Sequence, residues 1–146
     1  MLDEGNFYGI EGEPSLVDLG RDNEMLYDVM ALKKPSFAFN SDFDLSFCDG
    51  FDFAIAQSLF THLTLDDIAL CFENMRKIAG PGSKFFWTYL KGDGVENPTG
   101  PSHPNRSWRY RFNDIEKLAA DYGFSTDNIG DWQHPKDQRI ACSVLT

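Results

Sequence analysis

The sequence predicts an α/β fold in which helices pack on a mostly parallel sheet that ends in an antiparallel strand pair. Short apolar runs alternate with amphipathic helical segments along most of the chain, which is the pattern of strand–helix–strand units. The last two apolar runs, residues 124–129 and 139–145, have no helix between them, so we expect them to pair antiparallel. A chain of 146 residues has the length of one domain, and we assign residues 1–146 to a single domain.

A central strand is predicted at residues 51–57, an apolar run that follows Asp49-Gly50. A run of this kind between turn signals is typical of a buried strand whose two faces are both covered. Gln57 and Ser58 stand where this strand ends. Because ligands of open α/β sheets bind at the carboxyl ends of the strands, these two polar side chains predict one wall of a binding site.

The first part of the chain predicts two short strands around one helix. The helix begins at Pro14, whose missing N–H costs nothing at a first helical position, and it ends before Pro35. Its apolar side contains Leu16, Leu19, Leu26 and Met30. The flanking strands are predicted at residues 7–11 and 37–39.

The later part predicts two further helices and a strand at residues 84–90. Thr64 is an N-cap for the clearer helix, which carries acidic residues in its first turn and basic residues in its last turn, as the helix dipole favours. The Gly80-Pro81-Gly82 turn ends that helix. Asn113 and Glu116 form a capping pair for the last helix. The buried face of the clearer helix is predicted to contain Ile68, Cys71, Phe72, Met75 and Ile78.

The composition argues against several classes of partner. The chain has a formal net charge of -10, and residues 1–50 carry eleven acidic against three basic side chains. Such a chain repels nucleic acid and anionic membrane surfaces, so we expect neither as a partner. Three scattered cysteines and three scattered histidines give no zinc pattern, and we expect no metal site. The odd cysteine count and an acidic start without a signal-peptide core predict a cytoplasmic protein.

A glycine- and proline-rich segment, residues 91–107, predicts a long loop, and long loops in compact domains are often functional. A basic segment with interleaved aromatic residues follows at positions 106–111. Its arginines match the geometry of an anionic substrate. Charge balance against the acidic first fifty residues is the alternative interpretation, and both remain open.

Taken in order, these pieces resemble the later two thirds of a class I S-adenosylmethionine-dependent methyltransferase, and the resemblance covers residues 6–145. It is carried by a strand that ends in the acid Glu11, a loop acid after the next strand at Asp42, the 51–58 segment followed by His62, the Pro81-Gly82 turn and the closing antiparallel pair. The resemblance implies a three-layer, Rossmann-like methyltransferase fold. It also implies an enzyme that uses S-adenosylmethionine as cofactor and methylates a small-molecule acceptor.

The resemblance implies that five side chains bind the cofactor. Glu11 would accept hydrogen bonds from the ribose hydroxyls, since a carboxylate offers two oxygens to a vicinal diol. Asp42 and Phe43 would border the adenine, with the acid accepting from its amino group. Gln57 and Ser58 would lie beside the methionine part and the transferred methyl group. Four of them have a plainer alternative: a strand-end surface acid for Glu11, solvation for Asp42, and a turn cap for Gln57 and Ser58.

His62, four residues after Ser58, is the candidate catalytic residue if a helical turn follows the strand. The pKa range of histidine suits a general base toward a hydroxyl or amine acceptor. A hydrogen bond at the entry of a helix is the alternative role for this side chain.

The sequence departs from the family at one point, because the first strand and its glycine-rich loop are missing. That loop brings backbone donors to the methionine part of the cofactor, so we expect impaired cofactor binding by the chain on its own. The chain is interpreted as a fragment of a longer protein, with an internal start at Met1 or a reduced fold as the alternatives. The fold is expected to lack the first strand, and the apolar sheet edge left exposed predicts self-association. The alternative function is a non-catalytic α/β module that binds a protein partner.

Overall fold

The computed structural model describes residues 2–23 and 29–146, which form two compact units, residues 1–49 and 50–146. The first unit contains β1 (Tyr8–Ile10), α1 (Pro14–Asn23), α2 (Val29–Lys33) and β2 (Ser36–Ala38). The second contains β3 (Phe51–Ala56), a 3₁₀ turn (Phe60–His62), α3 (Leu65–Ile78), β4 (Ala79–Lys91), β5 (Arg109–Tyr110), α4 (Phe112–Asp121), β6 (Phe124–Asp131) and β7 (Gln138–Leu145). The predicted α/β class is confirmed.

The first unit is built on β1 and β2, which pair in parallel with Gly9 opposite Phe37. A Cβ at Gly9 would lie 2.8 Å from the Phe37 ring, so any larger residue here would force that ring to move. The helix α1 begins at Pro14, as predicted. Leu16 and Leu19 on this helix are 53% and 56% exposed, so the predicted apolar side is not buried there. Leu26, assigned to the same side, lies outside the described residues.

The second unit is built on a mixed five-stranded sheet in which β3, β4, β7 and β6 follow one another and β5 pairs with the end of β4. The strands β3 and β5 run parallel to β4, whereas β7 runs antiparallel to both β4 and β6. The closing antiparallel pair is therefore confirmed. The direction of each strand decides which side chains meet at the carboxyl ends of β3 and β4.

The core of the second unit is an aromatic cluster between the sheet and α3. Five ring pairs among Phe60, Phe72, Phe85 and Trp87 have centroids 5.5 to 6.3 Å apart, and all five are edge-to-face or tilted. The predicted face of α3 is confirmed, since Ile68, Cys71, Phe72 and Met75 are buried and Ile78 is partly buried.

The start of β4 differs from the prediction. We expected Gly80-Pro81-Gly82 to form a turn before a strand at residue 84, but β4 begins at Ala79, directly after α3. The pairing shifts from Phe51 with Ala79 to Phe53 with Lys84, so the glycine–proline segment forms an irregularity inside the ladder. Ser83 holds this segment, because its hydroxyl donates to the Phe51 carbonyl at 2.5 Å and accepts from the Gly80 N–H at 3.0 Å.

The cap of α4 also differs from the prediction. The helix begins at Phe112, two residues before a capping pair of Asn113 and Glu116 would allow, and Arg111 occupies the N-cap position without a side-chain hydrogen bond. The reason lies in β5, a strand that was not predicted, because the chain enters the helix directly from this extended segment. Gly123 follows α4 with φ +82°, as expected of a helix-ending glycine.

The strand β3 is less covered than predicted. Phe53 and Ile55, which point to the same face, are 70% and 63% exposed, whereas Ala56 on the other face is buried. Within the described part of the chain β3 has one ladder partner, β4. The expectation of a strand with both faces buried is therefore wrong. None of the helices in the described ranges is long and apolar enough to cross a lipid bilayer.

Candidate functional site

Glu11 and the turn after β2 lie at the same end of the small sheet, because β1 and β2 are parallel. The Glu11 N–H donates to the Ala38 carbonyl at 3.1 Å, which extends the ladder one residue beyond β1. Gly12 comes next, and a Cβ there would meet the Asn40 carbonyl oxygen at 3.8 Å. The segment that carries Glu11 therefore runs beside the turn that carries Asp42 and Phe43.

The turn itself is held by a side-chain clasp. The Asn40 amide accepts from the Asp44 N–H and donates to the Asp44 carbonyl, both at 3.1 Å. This closes the chain around Asp42, whose side chain is exposed, and Phe43, whose side chain is partly buried. Phe43 has φ +59°, a left-handed conformation that is uncommon for a bulky residue and that clusters at functional sites.

The Glu11 carboxylate already has one structural partner. Its Oε1 accepts from the Glu13 N–H at 3.0 Å, immediately before α1 begins. The alternative interpretation of Glu11, a surface acid at the end of a strand, therefore accounts for one of its hydrogen bonds. A carboxylate has about four acceptor positions, so the bond to Glu13 leaves capacity for a ribose diol.

Ser58 belongs to a closed hydrogen-bonded ring at the carboxyl end of β3. Its N–H donates to Thr88 Oγ1 at 2.7 Å, and Thr88 Oγ1 donates to Gln138 Oε1 at 2.7 Å. The ring closes through Gln138 Nε2, which donates to Ser58 Oγ at 2.9 Å. Ser58 is partly buried, whereas the neighbouring Gln57 side chain is exposed.

Thr88 and Gln138 were not predicted from the sequence. They are 0% and 3% exposed, and they meet because β7 runs back along β4, so that Gln138 lies opposite Leu90. Gln138 is eighty residues from Ser58 along the chain. One signal was available: Thr88 is a polar residue inside the otherwise apolar run of residues 85–90.

His62 ends the 3₁₀ turn, so the helical turn expected after the strand is present. Its Nδ1 lies 2.6 Å from the Arg106 carbonyl oxygen. A carbonyl only accepts, so Nδ1 carries the proton in the neutral ring and Nε2 holds the free lone pair. A base oriented in this way by a second group is the arrangement that general-base catalysis uses, and the partner of Nδ1 lies in the loop after β4 rather than at the start of α3.

The loop at residues 91–107 is fastened to the segment around His62. The Trp108 N–H donates to the Thr61 carbonyl at 2.8 Å, and the His103 N–H donates to the His62 carbonyl at 3.1 Å. Ser102 accepts from the Thr64 N–H at 2.7 Å and donates to the Asp67 carboxylate. These bonds fix the backbone on which His62 stands.

The basic segment at residues 106–111 has a local explanation. Trp108 and Tyr110 are buried, whereas Arg109 and Arg111 between and after them are exposed, which is the alternation of a half-covered strand such as β5. The Tyr110 hydroxyl donates to the Leu63 carbonyl at 2.6 Å. Burial, with Asp67 and Asp66 nearby, raises the pKa of Tyr110 above its ordinary value.

Among the described residues, the cysteines and acids are further candidates as nucleophiles and as metal ligands. Burial raises the pKa of the Cys71 thiol to about 12, so it remains protonated and is a poor nucleophile. Burial also raises the pKa of Cys142. In the same described ranges, no three histidine, cysteine, aspartate or glutamate side chains are grouped as metal ligands.

Comparison with known proteins gives the fold. No protein-family model matches the sequence, and no curated protein matches it. Among solved structures, magnesium protoporphyrin IX methyltransferase from Synechocystis PCC 6803, with bound S-adenosylmethionine, is 16% identical with a TM-score of 0.65, over 95% of this chain and 59% of that one. An S-adenosylmethionine-dependent methyltransferase from Clostridium acetobutylicum ATCC 824 is 12% identical, with a TM-score of 0.70 over 96% and 75% of the two chains.

The glycopeptide N-methyltransferase MtfA, complexed with sinefungin, is 14% identical, with a TM-score of 0.74 over 97% of this chain and 77% of that one. The chain spans about three fifths of the length of the magnesium protoporphyrin IX methyltransferase. At these identities the likeness concerns the backbone rather than the side chains of a site. The chain thus has the fold of class I S-adenosylmethionine-dependent methyltransferases.

Proposed function

We propose that this chain is an S-adenosylmethionine-dependent methyltransferase domain. One observation carries the proposal: in a fold shared with methyltransferases, the ends of β1, β2 and β3 are each followed by polar side chains in the order that the resemblance implies. Ligands of such folds bind at the carboxyl ends of the strands. The acceptor is proposed to be a small molecule.

The cofactor roles are proposed residue by residue, from the resemblance. Glu11 accepts from the ribose hydroxyls, while Asp42 and Phe43 border the adenine. Gln57 and Ser58 lie beside the methionine part. The clasped turn at Asn40 and the hydrogen-bonded ring at Ser58 support these roles, because a binding group needs neighbours that hold it in place before the ligand arrives.

The chemistry asks little of the protein. When bound, S-adenosylmethionine would supply a sulfonium methyl group for in-line transfer to the acceptor, and the main contribution of the site would be to position the two reactants. His62 is proposed to accept the proton that a hydroxyl or amine acceptor loses, at the Nε2 atom left free by the bond from Nδ1 to the Arg106 carbonyl.

The chain is proposed to bind the cofactor weakly on its own. Its sequence contains no glycine-rich loop of the kind that brings backbone N–H groups to the methionine part in the family. We also propose a cytoplasmic location, because the described cysteines are not joined in disulfides.

The proposal is tested by amide NMR of the isotope-labelled chain titrated with millimolar S-adenosylhomocysteine. We expect local shift changes at Glu11, Asp42, Phe43, Gln57 and Ser58. Glu11→Gln should weaken binding by about 1–3 kcal/mol, the scale of a hydrogen bond to a charged group.

The matched control for that variant is Glu13→Gln, which makes the same change two residues away at a side chain without a proposed ligand role. Shift changes that are absent or spread over the whole chain would reject the cofactor site. An unchanged affinity in Glu11→Gln would remove Glu11 from it.

A second candidate function is supported by the exposed face of β3. Phe53 and Ile55 are large apolar side chains in solvent, and β3 has a strand partner on one side only within the described residues. If the chain is a module that binds a protein partner or a second copy of itself, that contact would bury the two side chains and pair the open edge of β3. Sedimentation of the wild-type chain beside a Phe53→Ser, Ile55→Ser double variant tests self-association: a wild-type dimer that the variant loses supports it, and two monomers reject it.

A further inference from the structure

In the hydrogen-bonded ring of Ser58, Thr88 and Gln138, the proton of the Ser58 hydroxyl makes the longest contact. Thr88 Oγ1 accepts from the Ser58 N–H and uses its own proton toward Gln138 Oε1, at 2.7 Å in both cases. Gln138 Nε2 donates to Ser58 Oγ at 2.9 Å. The Ser58 hydroxyl therefore accepts within the ring, and its remaining contact as a donor, to Gln138 Oε1, is longer at 3.2 Å.

The backbone of Ser58 is held in a conformation that serine rarely adopts. Its φ is +58°, in the left-handed region that costs an ordinary residue roughly 1–2 kcal/mol. Its N–H is bound by Thr88, and its carbonyl accepts from Thr61 Oγ1 at 2.7 Å. A strained residue fixed from both sides by neighbouring side chains is typical of a functional position.

We propose that Gln138 is a positioning residue, which occupies the acceptor side of the Ser58 hydroxyl so that its proton is directed to the carboxylate of the cofactor's amino-acid part. This inference rests on the proposed function, since it needs the methionine part to lie at Ser58. A charged acceptor forms a shorter and stronger hydrogen bond than the 3.2 Å contact that it replaces. In that part of the cofactor the carboxylate is the strong acceptor, because the ammonium group donates and the sulfonium does neither.

The test uses Gln138→Glu, in which the buried amide loses its donor. Above the pKa of the new carboxyl, the ionised carboxylate of this variant accepts from both Thr88 and Ser58, so the Ser58 proton turns inward and the ligand loses its donor. Burial raises the pKa of such a carboxyl, and once protonated it again donates to Ser58 Oγ as the amide does. Lowering the pH should therefore restore the wild-type arrangement.

The measurement is amide NMR of the full chain with millimolar S-adenosylhomocysteine, at several pH values from mildly alkaline to mildly acidic. We expect the affinity of Gln138→Glu to fall by about tenfold at the alkaline end of this range, where the carboxyl is ionised, and to recover toward the wild-type value as the pH falls. Gln133→Glu is the matched control, because it adds the same charge on the same hairpin at an exposed side chain. The control should bind as the wild type does at each pH.

A second ligand separates the carboxylate from the rest of the cofactor. Methylthioadenosine lacks the amino-acid part, so its affinity should be the same in the wild type and in Gln138→Glu at every pH. Gln138→Glu that binds S-adenosylhomocysteine like the wild type at every pH, or a loss that acid does not reverse, would overturn the role of Gln138 while leaving the proposed function intact. A wild-type chain without local shift changes would overturn both.

Discussion

The indole of Trp87 donates its Nε1–H to the hydroxyl of Ser143 at 2.8 Å, across the β4–β7 pair, and both residues are 0% exposed. Thr126 on β6 lies 2.9 Å from the same hydroxyl. The buried Ser143 hydroxyl on β7 is thus in hydrogen-bond contact with side chains of both neighbouring strands, β4 and β6. The bond matters for stability because a buried indole N–H that loses its acceptor cannot turn to water instead.

Ser143→Ala should lower the free energy of unfolding by about 1–3 kcal/mol, the cost of leaving a buried donor unpaired. Adding Trp87→Phe to Ser143→Ala removes that orphaned donor, so the two changes should cost less together than the sum of the single variants. Urea unfolding measures both effects. Ser125→Ala, at an exposed position on β6, is the matched control, and a cost for Ser143→Ala no larger than the cost of this control would contradict the account.

The strain at Ser58 can be measured by comparing two variants. Ser58→Ala and Ser58→Gly both remove the hydroxyl, but glycine adopts φ +58° without the clash of a Cβ atom. We expect Ser58→Gly to be more stable than Ser58→Ala by about 1 kcal/mol. Thermal unfolding of the pair is the measurement, and a more stable alanine variant would show that the backbone at this position is not strained.

Because one face of β3 is exposed, the stability cost of replacing a phenylalanine should differ greatly between Phe53 on this face and Phe72 in the core. Phe72 is 0% exposed in the aromatic cluster, so Phe72→Ala should cost about 3–5 kcal/mol. Phe53 is 70% exposed, with the Lys84 ammonium 5.9 Å from its ring centre, so Phe53→Ala should change stability by no more than about 0.5 kcal/mol. A large cost for Phe53→Ala in denaturant unfolding would mean that this face is covered in solution.

The buried thiol of Cys71 predicts a loss of stability in alkali. Burial raises its folded-state pKa from an ordinary 9.0 to about 12, so above pH 9 only the unfolded thiol ionises. The free energy of unfolding should then fall by up to about 1.4 kcal/mol per pH unit. Burial also raises the pKa of Tyr89 and Tyr110 above an ordinary 10.0, and that of the Cys142 thiol above an ordinary 9.0, so the interval between pH 9 and 10 limits the contribution of the tyrosines but includes that of Cys142.

Cys71→Ala tests this assignment, because it removes the contribution of this thiol and should reduce the slope between pH 9 and 10, whereas Cys142 keeps its own contribution. The variant also loses some packing in the core, which lowers its stability at every pH but does not change the slope. Equal slopes in the wild type and in the variant would exclude Cys71 as the cause.

The parts of the fold that depend on nearby residues could be predicted from the sequence. The helix α3, its Thr64 cap and its buried face follow from a local pattern, and the structure contains all three. The early start of β4 and the entry into α4 from β5 could not be predicted in this way. Both depend on pairing with strands that are distant in sequence, which overrides a turn signal at Gly80-Pro81-Gly82 and a capping signal at Asn113.

The same distinction applies to the candidate site. Ser58 and His62 stand beside a strand that an apolar run identifies, so the sequence points to them. Gln138 does not show in any local pattern, because its place beside Ser58 is set by the register of β7 on β4. The sequence therefore predicts the residues at the ends of strands, whereas the side chains that hold them in place come from tertiary pairing.

The central claim, that this chain carries a cofactor site of the methyltransferase kind, is tested most directly by photolabelling. The chain is irradiated with millimolar methyl-tritiated S-adenosylmethionine, with and without excess sinefungin, and the labelled peptides are mapped. We predict label that sinefungin suppresses, confined to peptides containing Glu11, Asp42 and Phe43, or Gln57 and Ser58. Label that sinefungin does not reduce, or that falls only in other peptides, would contradict the account.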